Sequence, residues 1–248
     1  MGKHEYSGDF YSYIDAGSRR SARIVAALLL REMKITSLLD IGAGHGAWAA
    51  EWLDAGVKTV VAVDGDYVRP DQLAIPPKAF RAHDLATPLD LKKRFDLVQS
   101  LEVAEHLPAD KAELFVDNIV RHGDVVLFSA AVPHQGGEHH VNEQPPEYWR
   151  SKLAERGYAA FDFVRPNLAG CGEVMPWYRF NSYVYANKAG EKRLSKAVLA
   201  TRVPDGQALE IGGNIAWTLR RTAVRLIPPV LVKPIAMAKA SIEARWRK

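Results

Sequence analysis

Three histidines lie close together in a polar loop at residues 132–146. His134, His139 and His140 fall within seven residues, although the whole chain has only eight histidines. Histidine takes up and releases a proton near neutral pH, so a histidine beside a bound hydroxyl can act as a general base. Histidine also ligates metal ions and holds turns through its ring N–H. The spacing alone leaves these three roles open.

A second group of titratable side chains follows an apolar run at residues 95–101, which is typical of a buried strand. The run is followed by Glu102, Glu105 and His106. Ligands bind at the carboxyl ends of strands in open α/β sheets, so Glu102 is predicted near a ligand. Glu105 and His106 either join that site or begin the next helix, where glutamate is favoured by the helix dipole.

A glycine turn lies between two apolar runs in residues 36–68. Asp40 is in the first run, Gly42, Gly44 and Gly46 follow, and Asp64 ends the second run about 20 residues later. Glycines let the backbone approach a ligand and adopt dihedral angles that a Cβ atom disfavours. The N-terminus of a following helix offers unpaired N–H groups, and a carboxylate at the second strand can accept both ribose hydroxyls. This pattern predicts a site for a nucleoside-containing cofactor.

Taken together, these strings resemble the class I S-adenosylmethionine-dependent methyltransferases over residues 18–187. The resemblance rests on Asp40, on the glycine turn and on the string FDLVQSLEVAEHLP at residues 95–108. It implies S-adenosylmethionine as the cofactor and an α/β, Rossmann-like, seven-stranded, mostly parallel sheet with helices on both faces and strand order 3-2-1-4-5-7-6. It also implies that Asp84 binds the adenine amino group beside the backbone of Leu85.

The glycines alone leave alternatives open, because Gly42, Gly44 and Ala47 also fit the G-x-G-x-x-G/A pattern of dinucleotide sites. A nicotinamide-dependent dehydrogenase on the same unit would need a proton relay such as Tyr-x-x-x-Lys. A catalytically silent cofactor-binding protein is a third alternative. The turn could also simply pack a helix against the sheet.

The resemblance further implies a reaction. A His-x-Asn string recurs after the fifth strand in small-molecule O-methyltransferases of this class, and His140 and Asn142 match it. We therefore expect methyl transfer to a hydroxyl of a small molecule, most simply a sugar or secondary metabolite. His140 is the first choice as base, with His139 second and His106 third, and Asn142 is expected to hold the loop or the acceptor.

Metal binding is the weaker interpretation of the histidine loop, and no metal site is expected. His134, His139, His140 and Glu138 could ligate an ion, but the neighbouring acids equally fit a polar loop. The single cysteine, Cys171, rules out a zinc site built on several thiolates and fits a reducing compartment. The first ten residues contain no apolar signal-peptide core, so a cytoplasmic location is expected.

Charge divides the chain into two expected parts. Residues 1–188 hold 21 Lys and Arg against 25 Asp and Glu, a net charge of −4, whereas residues 189–248 hold 12 against 4, a net charge of +8. We expect a methyltransferase domain over residues 1–188 and a basic helical C-terminal extension over residues 189–248. The acidic domain is poorly suited to a long phosphate track, so a nucleic-acid substrate is not expected. The oligomeric state is left open.

The extension contains an amphipathic pattern. Ile215, Leu219, Ala223 and Leu226 share one helical face, and three arginines lie on the other side: Arg220, Arg221 and Arg225. This pattern favours a helix docked on the core through its apolar face, with a solvated basic face. The alternative is peripheral contact with an anionic membrane or an acidic partner. The sequence of residues 230–247 is likewise rich in apolar and basic residues.

The remaining elements follow from periodicity and turn residues. A helix is predicted over residues 19–33, after an aromatic, turn-rich segment in which Tyr11 and Tyr13 either cover the substrate or pack at the core edge. Further helices are predicted at residues 111–121 and 148–157, and further strands at residues 78–83, 124–130, 158–165 and 178–186.

Overall fold

The chain folds around one sheet. The computed structural model describes the backbone of residues 8–227 and the side chains of residues 16–227. In this part of the chain seven strands form a sheet in the order β3-β2-β1-β4-β5-β7-β6. The strands are β1 Ser37–Ile41, β2 Thr59–Asp64, β3 Phe80–Ala82, β4 Leu97–Leu101, β5 Val125–Ser129, β6 Ala159–Phe161 and β7 Tyr183–Ala186. In the described sheet β7 runs antiparallel to β5 and β6, and all other neighbouring strands pair in parallel. The predicted fold class and strand order are confirmed.

Helices cover both faces of the sheet. They are α1 Gly8–Glu32, α2 Ala47–Asp54, α3 Ala112–His122, α4 Pro146–Glu155, α5 Val164–Leu168, α6 Pro176–Asn181, α7 Lys188–Glu191, α8 Lys196–Leu199 and α9 Ile215–Leu226. Successive side chains of a strand point to opposite faces, so Leu38 joins the core under α1 and α2, while Leu39 joins the core under α3 and α4. Parallel strands buried on both faces explain the apolar runs in the sequence.

Helix α1 starts earlier than predicted. It begins at Gly8, so the aromatic segment is helical where a turn-rich stretch was expected. Gly17 lies inside this helix and packs closely, because a Cβ atom there would lie 2.7 Å from the Met175 sulfur. The side chains of Tyr11 and Tyr13 lie outside the described part, so their proposed contact with substrate stays a prediction.

Three predicted strands are shorter than expected because prolines and helix starts interrupt them. A 3-10 turn at Pro77–Ala79 delays β3 to Phe80. The predicted strand at residues 158–165 ends at Phe161 and gives way to α5. Pro176 begins α6, because its fixed φ suits the first helical position, and β7 therefore starts only at Tyr183.

The segment after β7 packs on the sheet before it reaches α9. Arg193 pairs with Asp96 at 2.7 Å, and the Ser195 hydroxyl donates to Glu32 at 2.5 Å. The Val203 amide donates to the Ala160 carbonyl at 2.9 Å, next to β6. Residues 188–209 therefore add to the core of the fold, while the division of the chain at residue 188 stays a prediction.

Helix α9 forms as predicted, but its expected orientation is wrong. The buried side of the helix carries Trp217, whereas Ile215, Leu219 and Leu226 are exposed. Arg220 and Arg221 turn inward because they donate to backbone carbonyl oxygens of the loop after β5. The predicted continuation at residues 230–247 lies outside the described residues. Within residues 8–227, no helix has the length and apolarity needed to cross a membrane.

Candidate active site

A cavity of about 190 Å³ lies at the carboxyl ends of β1 and β4. Four predicted cofactor residues contribute to its wall: Asp40, Gly42, Gly44 and Glu102. The position agrees with the general rule that open α/β sheets bind ligands beyond the carboxyl ends of their strands. The cavity is therefore the candidate cofactor site.

The glycine turn leaves room where a ligand would lie. Gly44 has a φ of +54°, and a Cβ atom built on it would meet no atom within 4 Å, so this backbone faces open space. Gly42 is different, because a Cβ atom there would overlap the Val103 side chain at 2.3 Å. Gly46, with a φ of +83°, precedes the first residue of α2. The open position at Gly44 is the one that could cradle a cofactor.

Asp64 supports this turn from the end of β2. One of its carboxylate oxygens accepts a hydrogen bond of 2.6 Å from the Gly44 amide. The other accepts hydrogen bonds from the Gly65 amide, at 2.7 Å, and from the Tyr67 hydroxyl. A ribose that takes the second oxygen would have to displace Tyr67, a residue that no sequence motif identified.

Asp84 and Leu85 lie outside the cavity wall. Asp84 is exposed and accepts a hydrogen bond of 3.0 Å from the Ala86 amide, which makes it a turn cap in the described structure. Leu85 is buried in the core beside α3. Their predicted contact with adenine stays a prediction.

Asp40 contributes a buried carboxyl group to the wall of the cavity. Burial raises the pKa of Asp40 to about 7. One of its oxygens has no hydrogen-bond partner among the described residues. A cationic ligand in the cavity would favour the charged carboxylate. S-adenosylmethionine carries a sulfonium and an ammonium group, so the residues present fit this cofactor.

Three side chains that the sequence did not single out close the cavity. The Ser18 hydroxyl on α1 lies 3.1 Å from the Tyr178 hydroxyl on α6. Trp48 on α2 packs edge-on against Tyr178, with ring centroids 4.8 Å apart. All three line the cavity. They are far apart in the chain and share no motif, so only the fold reveals them.

Glu102 connects the cavity to the histidine loop. Its φ is +57°, an uncommon conformation for a residue other than glycine. Its carboxylate accepts hydrogen bonds from Gln135 at 2.5 Å and from Asn181 at 3.3 Å. Burial raises the pKa of Glu102, which these hydrogen bonds lower in part. Glu102 therefore links the wall of the cavity to the histidine loop, while its contact with the cofactor stays a prediction.

Backbone hydrogen bonds to Glu105 hold the histidine loop close to the end of β4. Its backbone carbonyl accepts hydrogen bonds from the amides of Val141, at 2.9 Å, and Asn142, at 3.0 Å. The Glu105 carboxyl is fully buried, and neither of its oxygens has a hydrogen-bond partner among the described residues. Burial and the nearby Glu102 raise the pKa of Glu105 well above its ordinary value. Such a group is costly to leave without a partner.

His140 lies at the centre of the loop. Its Nδ1 is 2.8 Å from a carboxylate oxygen of Glu143, and its Nε2 is 3.9 Å from Glu105 Oε1. The His106 ring lies edge-on to it, with centroids 4.9 Å apart. Because a carboxylate can only accept, the Glu143 contact assigns the proton to Nδ1 of the neutral ring and leaves Nε2 as the acceptor.

Glu143 organises the same loop through its backbone contacts. It accepts hydrogen bonds from the amides of His134 and Gly136, both at 2.8 Å. Although burial raises the pKa of Glu143, hydrogen bonds from His140 and these amides lower it overall. The sequence contained a signal for this residue, since Glu143 follows the His-x-Asn string directly.

The other predicted loop residues have different environments. His134 and His139 are exposed and have positive φ angles of 66° and 57°. Asn142 is buried, and its side-chain oxygen accepts a hydrogen bond of 2.9 Å from Gln144. Asn142 therefore serves the loop itself in the described structure, while contact with an acceptor stays a prediction.

One group of side chains in the described part could hold a metal ion. Glu105, His106 and His140 offer ligand atoms that all lie within 4.8 Å of one another. Carboxylate and imidazole ligands of this kind suit Zn²⁺ or Mn²⁺. Of the alternative ligand set weighed from the sequence, only His140 belongs to this group.

A Tyr-x-x-x-Lys string, as the dehydrogenase alternative would need, does occur at Tyr148 and Lys152. Both residues are on α4, where the Lys152 ammonium lies 4.5 Å from the centroid of the Tyr148 ring and pairs with Glu113. Neither residue lines the cavity. The string therefore packs α4 against α3 and gives no support to the dehydrogenase alternative.

A comparison with protein families identifies the family of this chain. The family described as Methyltransferase domain matches residues 13–160, more than half of the chain. A search of the curated proteins gave no match. The chain therefore belongs to the methyltransferase domain family, and it is an S-adenosylmethionine-dependent methyltransferase.

Solved structures of several methyltransferases are similar to the chain at low sequence identity. The small RNA methyltransferase HEN1 has a TM-score of 0.50 and 20% identity, covering 69% of this chain and 25% of that chain. Magnesium protoporphyrin IX methyltransferase from Synechocystis PCC 6803 has a TM-score of 0.47 and 17% identity, covering 75% and 87%. The glycopeptide N-methyltransferase MtfA has a TM-score of 0.48 and 15% identity, covering 67% and 91%. This chain thus spans about a quarter of HEN1.

Proposed function

We propose that the chain methylates a hydroxyl group of a small-molecule acceptor, such as a sugar or another secondary metabolite, with His140 as general base. The observation that carries the proposal is the 2.8 Å contact between His140 Nδ1 and Glu143. A ring oriented in this way has Nε2 available for the proton of a bound hydroxyl. His139 and His106 are the second and third candidates for this role.

The chemistry divides between cofactor and protein. S-adenosylmethionine supplies a methyl group on an activated sulfonium. The protein has to hold the acceptor oxygen in line with that methyl, and such positioning can be worth about 7–11 kcal/mol. A general base adds roughly 10²–10⁴-fold in rate. Glu102, which borders the cavity and bonds Gln135 of the loop, supports a common site for the two halves of the reaction.

The acceptor class is tested with matched pairs of compounds. We expect labelled methyl from S-adenosylmethionine on sugars and phenols, and little on their amino analogues, because a histidine base serves a hydroxyl with a high pKa. Mass spectrometry of the products locates the label. A short RNA belongs in the panel because HEN1 is described as a small RNA methyltransferase. Label on nitrogen alone, or on the RNA alone, would contradict the proposal.

A divalent cation at Glu105, His106 and His140 is the second candidate for activating the hydroxyl. The observation in its favour is the buried Glu105 carboxyl, which lacks a hydrogen-bond partner among the described residues and lies beside two imidazoles. A cation would supply the missing countercharge and act as a Lewis acid towards an acceptor oxygen. Glu102 is close enough to raise the pKa of Glu105 and adds to the negative charge there.

Metal removal separates the two candidates. If the base acts alone, dialysis against a chelator leaves turnover unchanged, and calorimetry with Mn²⁺ or Zn²⁺ gives no heat of binding that depends on Glu105. If a cation acts, chelation abolishes turnover, added metal restores it, and Glu105→Gln weakens metal binding by about tenfold or more. Glu113→Gln, a substitution on the exposed side of α3, is the matched control.

A further inference from the structure

Helix α9 presents an apolar stripe to solvent. Ile215, Leu219 and Leu226 are 80%, 64% and 80% exposed. Their spacing of four and seven residues places them on one face of the helix. Only six large apolar side chains are exposed in the described part of the chain, and three of them belong to this stripe. The exposure is therefore concentrated on one short helix, which marks a contact surface.

Contacts on the opposite face fix the helix in this orientation. Trp217 is buried and packs on Phe180, with ring centroids 6.1 Å apart. Arg220 donates to the Gln135 carbonyl at 2.6 Å, and Arg221 donates to the Pro133 carbonyl at 2.9 Å. Rotating the stripe inward would break these hydrogen bonds and expose the indole. The stripe therefore needs an occupant from outside the described core.

The charge of the sequence that contains and follows α9 indicates what that occupant is. Residues 211–248 contain eight Lys and Arg and a single acid, Glu243, a net charge of +7. Within the described part of α9, Arg225 is exposed to solvent. Apolar side chains beside a basic flank are the combination that binds the interface of an anionic bilayer. A second copy fits less well, because it would bring two such positive segments together.

We propose that the stripe of α9, together with the basic sequence of residues 211–248, is a docking surface for anionic lipid bilayers. The apolar side chains enter the headgroup region, and the basic residues attract the charged lipids. The surface adjoins the candidate active site, since Arg220 and Arg221 bond the loop that carries His140. The proposal does not depend on which acceptor the site methylates.

Co-sedimentation of the full chain with vesicles tests this surface. We expect binding to phosphatidylcholine vesicles that contain phosphatidylglycerol, and none to pure phosphatidylcholine. Binding should weaken as salt is raised, because exposed charges are screened over about 8–10 Å at physiological ionic strength. Leu219→Ser with Leu226→Ser should reduce binding at least about tenfold, because two apolar side chains are lost from the contact.

The controls distinguish binding through this surface from non-specific hydrophobic adsorption and from loss of the fold. Leu199→Ser removes an exposed apolar residue on α8 and should leave vesicle binding unchanged. Calorimetric affinity for S-adenosylhomocysteine should be unchanged in the double variant, which shows that the fold is intact. Equal binding to neutral and anionic vesicles, or unchanged binding by the double variant, would overturn the proposal. So would a wild-type dimer that binds no vesicles and becomes monomeric in the double variant, because a second copy would then cover the stripe.

Discussion

Gly44→Val should reduce the affinity for S-adenosylhomocysteine by at least about tenfold. Position 44 faces open space in the cavity, so the new side chain would occupy the volume of the cofactor without meeting protein atoms first. The positive φ of 54° adds strain, since β-branched residues rarely adopt it. Isothermal titration calorimetry with S-adenosylhomocysteine measures the loss.

Gly157→Val is the matched control for this variant. Gly157 also has a positive φ, 80°, and open space at its Cβ position, but it follows α4 and does not line the cavity. The control should lose stability to a similar extent and keep its affinity for S-adenosylhomocysteine. If wild type and Gly44→Val bind S-adenosylhomocysteine with equal affinity, the glycine turn is not part of the cofactor site.

Asp64→Asn provides a test that avoids backbone strain. Charge-assisted hydrogen bonds to the ribose hydroxyls are worth about 1.5–3 kcal/mol each, so the affinity should fall about tenfold or more. The asparagine side chain can still accept the Gly44 amide through its oxygen, which keeps the turn in place. A variant that binds as tightly as the wild type would mean that the ribose lies elsewhere.

His140→Ala should lower turnover by roughly 10²–10⁴-fold while the affinity for S-adenosylhomocysteine stays the same. The ring is held by Glu143 beside Glu105 and is absent from the wall of the cofactor cavity. Loss of the proton acceptor therefore affects the chemical step and leaves cofactor binding intact. Single-turnover kinetics with an acceptor identified from the hydroxyl panel would measure this effect.

Two neighbouring substitutions show whether the effect belongs to His140 itself. His139→Ala, at an exposed position of the same loop, should keep most of the turnover. Glu143→Gln should reduce turnover less than His140→Ala, because an amide can still accept from Nδ1–H but stabilises the imidazolium less. Full turnover in His140→Ala would mean that His140 is not the base, and that His139 or the pair of Glu105 and His106 takes this role.

The sheet and the cofactor turn could be predicted because their signals are local. Apolar runs, the glycines after Asp40 and the acid at Asp64 lie within one βαβ unit, where spacing in the sequence fixes spacing in the structure. The strand order came from the family resemblance and is confirmed. The ends of helices and strands were predicted less accurately. Pro176 and Gly17 belong to helices whose extent depends on tertiary packing, which the local sequence does not show.

The parts that could not be predicted depend on contacts distant in the sequence. Ser18, Trp48 and Tyr178 meet only because three helices converge over one cavity. The Glu105 carbonyl holds the histidine loop through hydrogen bonds with residues 36 or more positions away in the sequence. The orientation of α9 depends on carbonyl oxygens of the loop after β5, which no periodicity in the helix itself can reveal.

We propose that the cofactor cavity and the histidine loop form one active site, joined at Glu102. A crystal structure of the complex with S-adenosylhomocysteine tests it most directly. We predict the adenosine on the glycine turn, the ribose at Asp64, and the sulfur directed past Glu102 towards His140. A cofactor bound with its sulfur facing away from His140, or bound outside the cavity beside Gly44, would contradict the account.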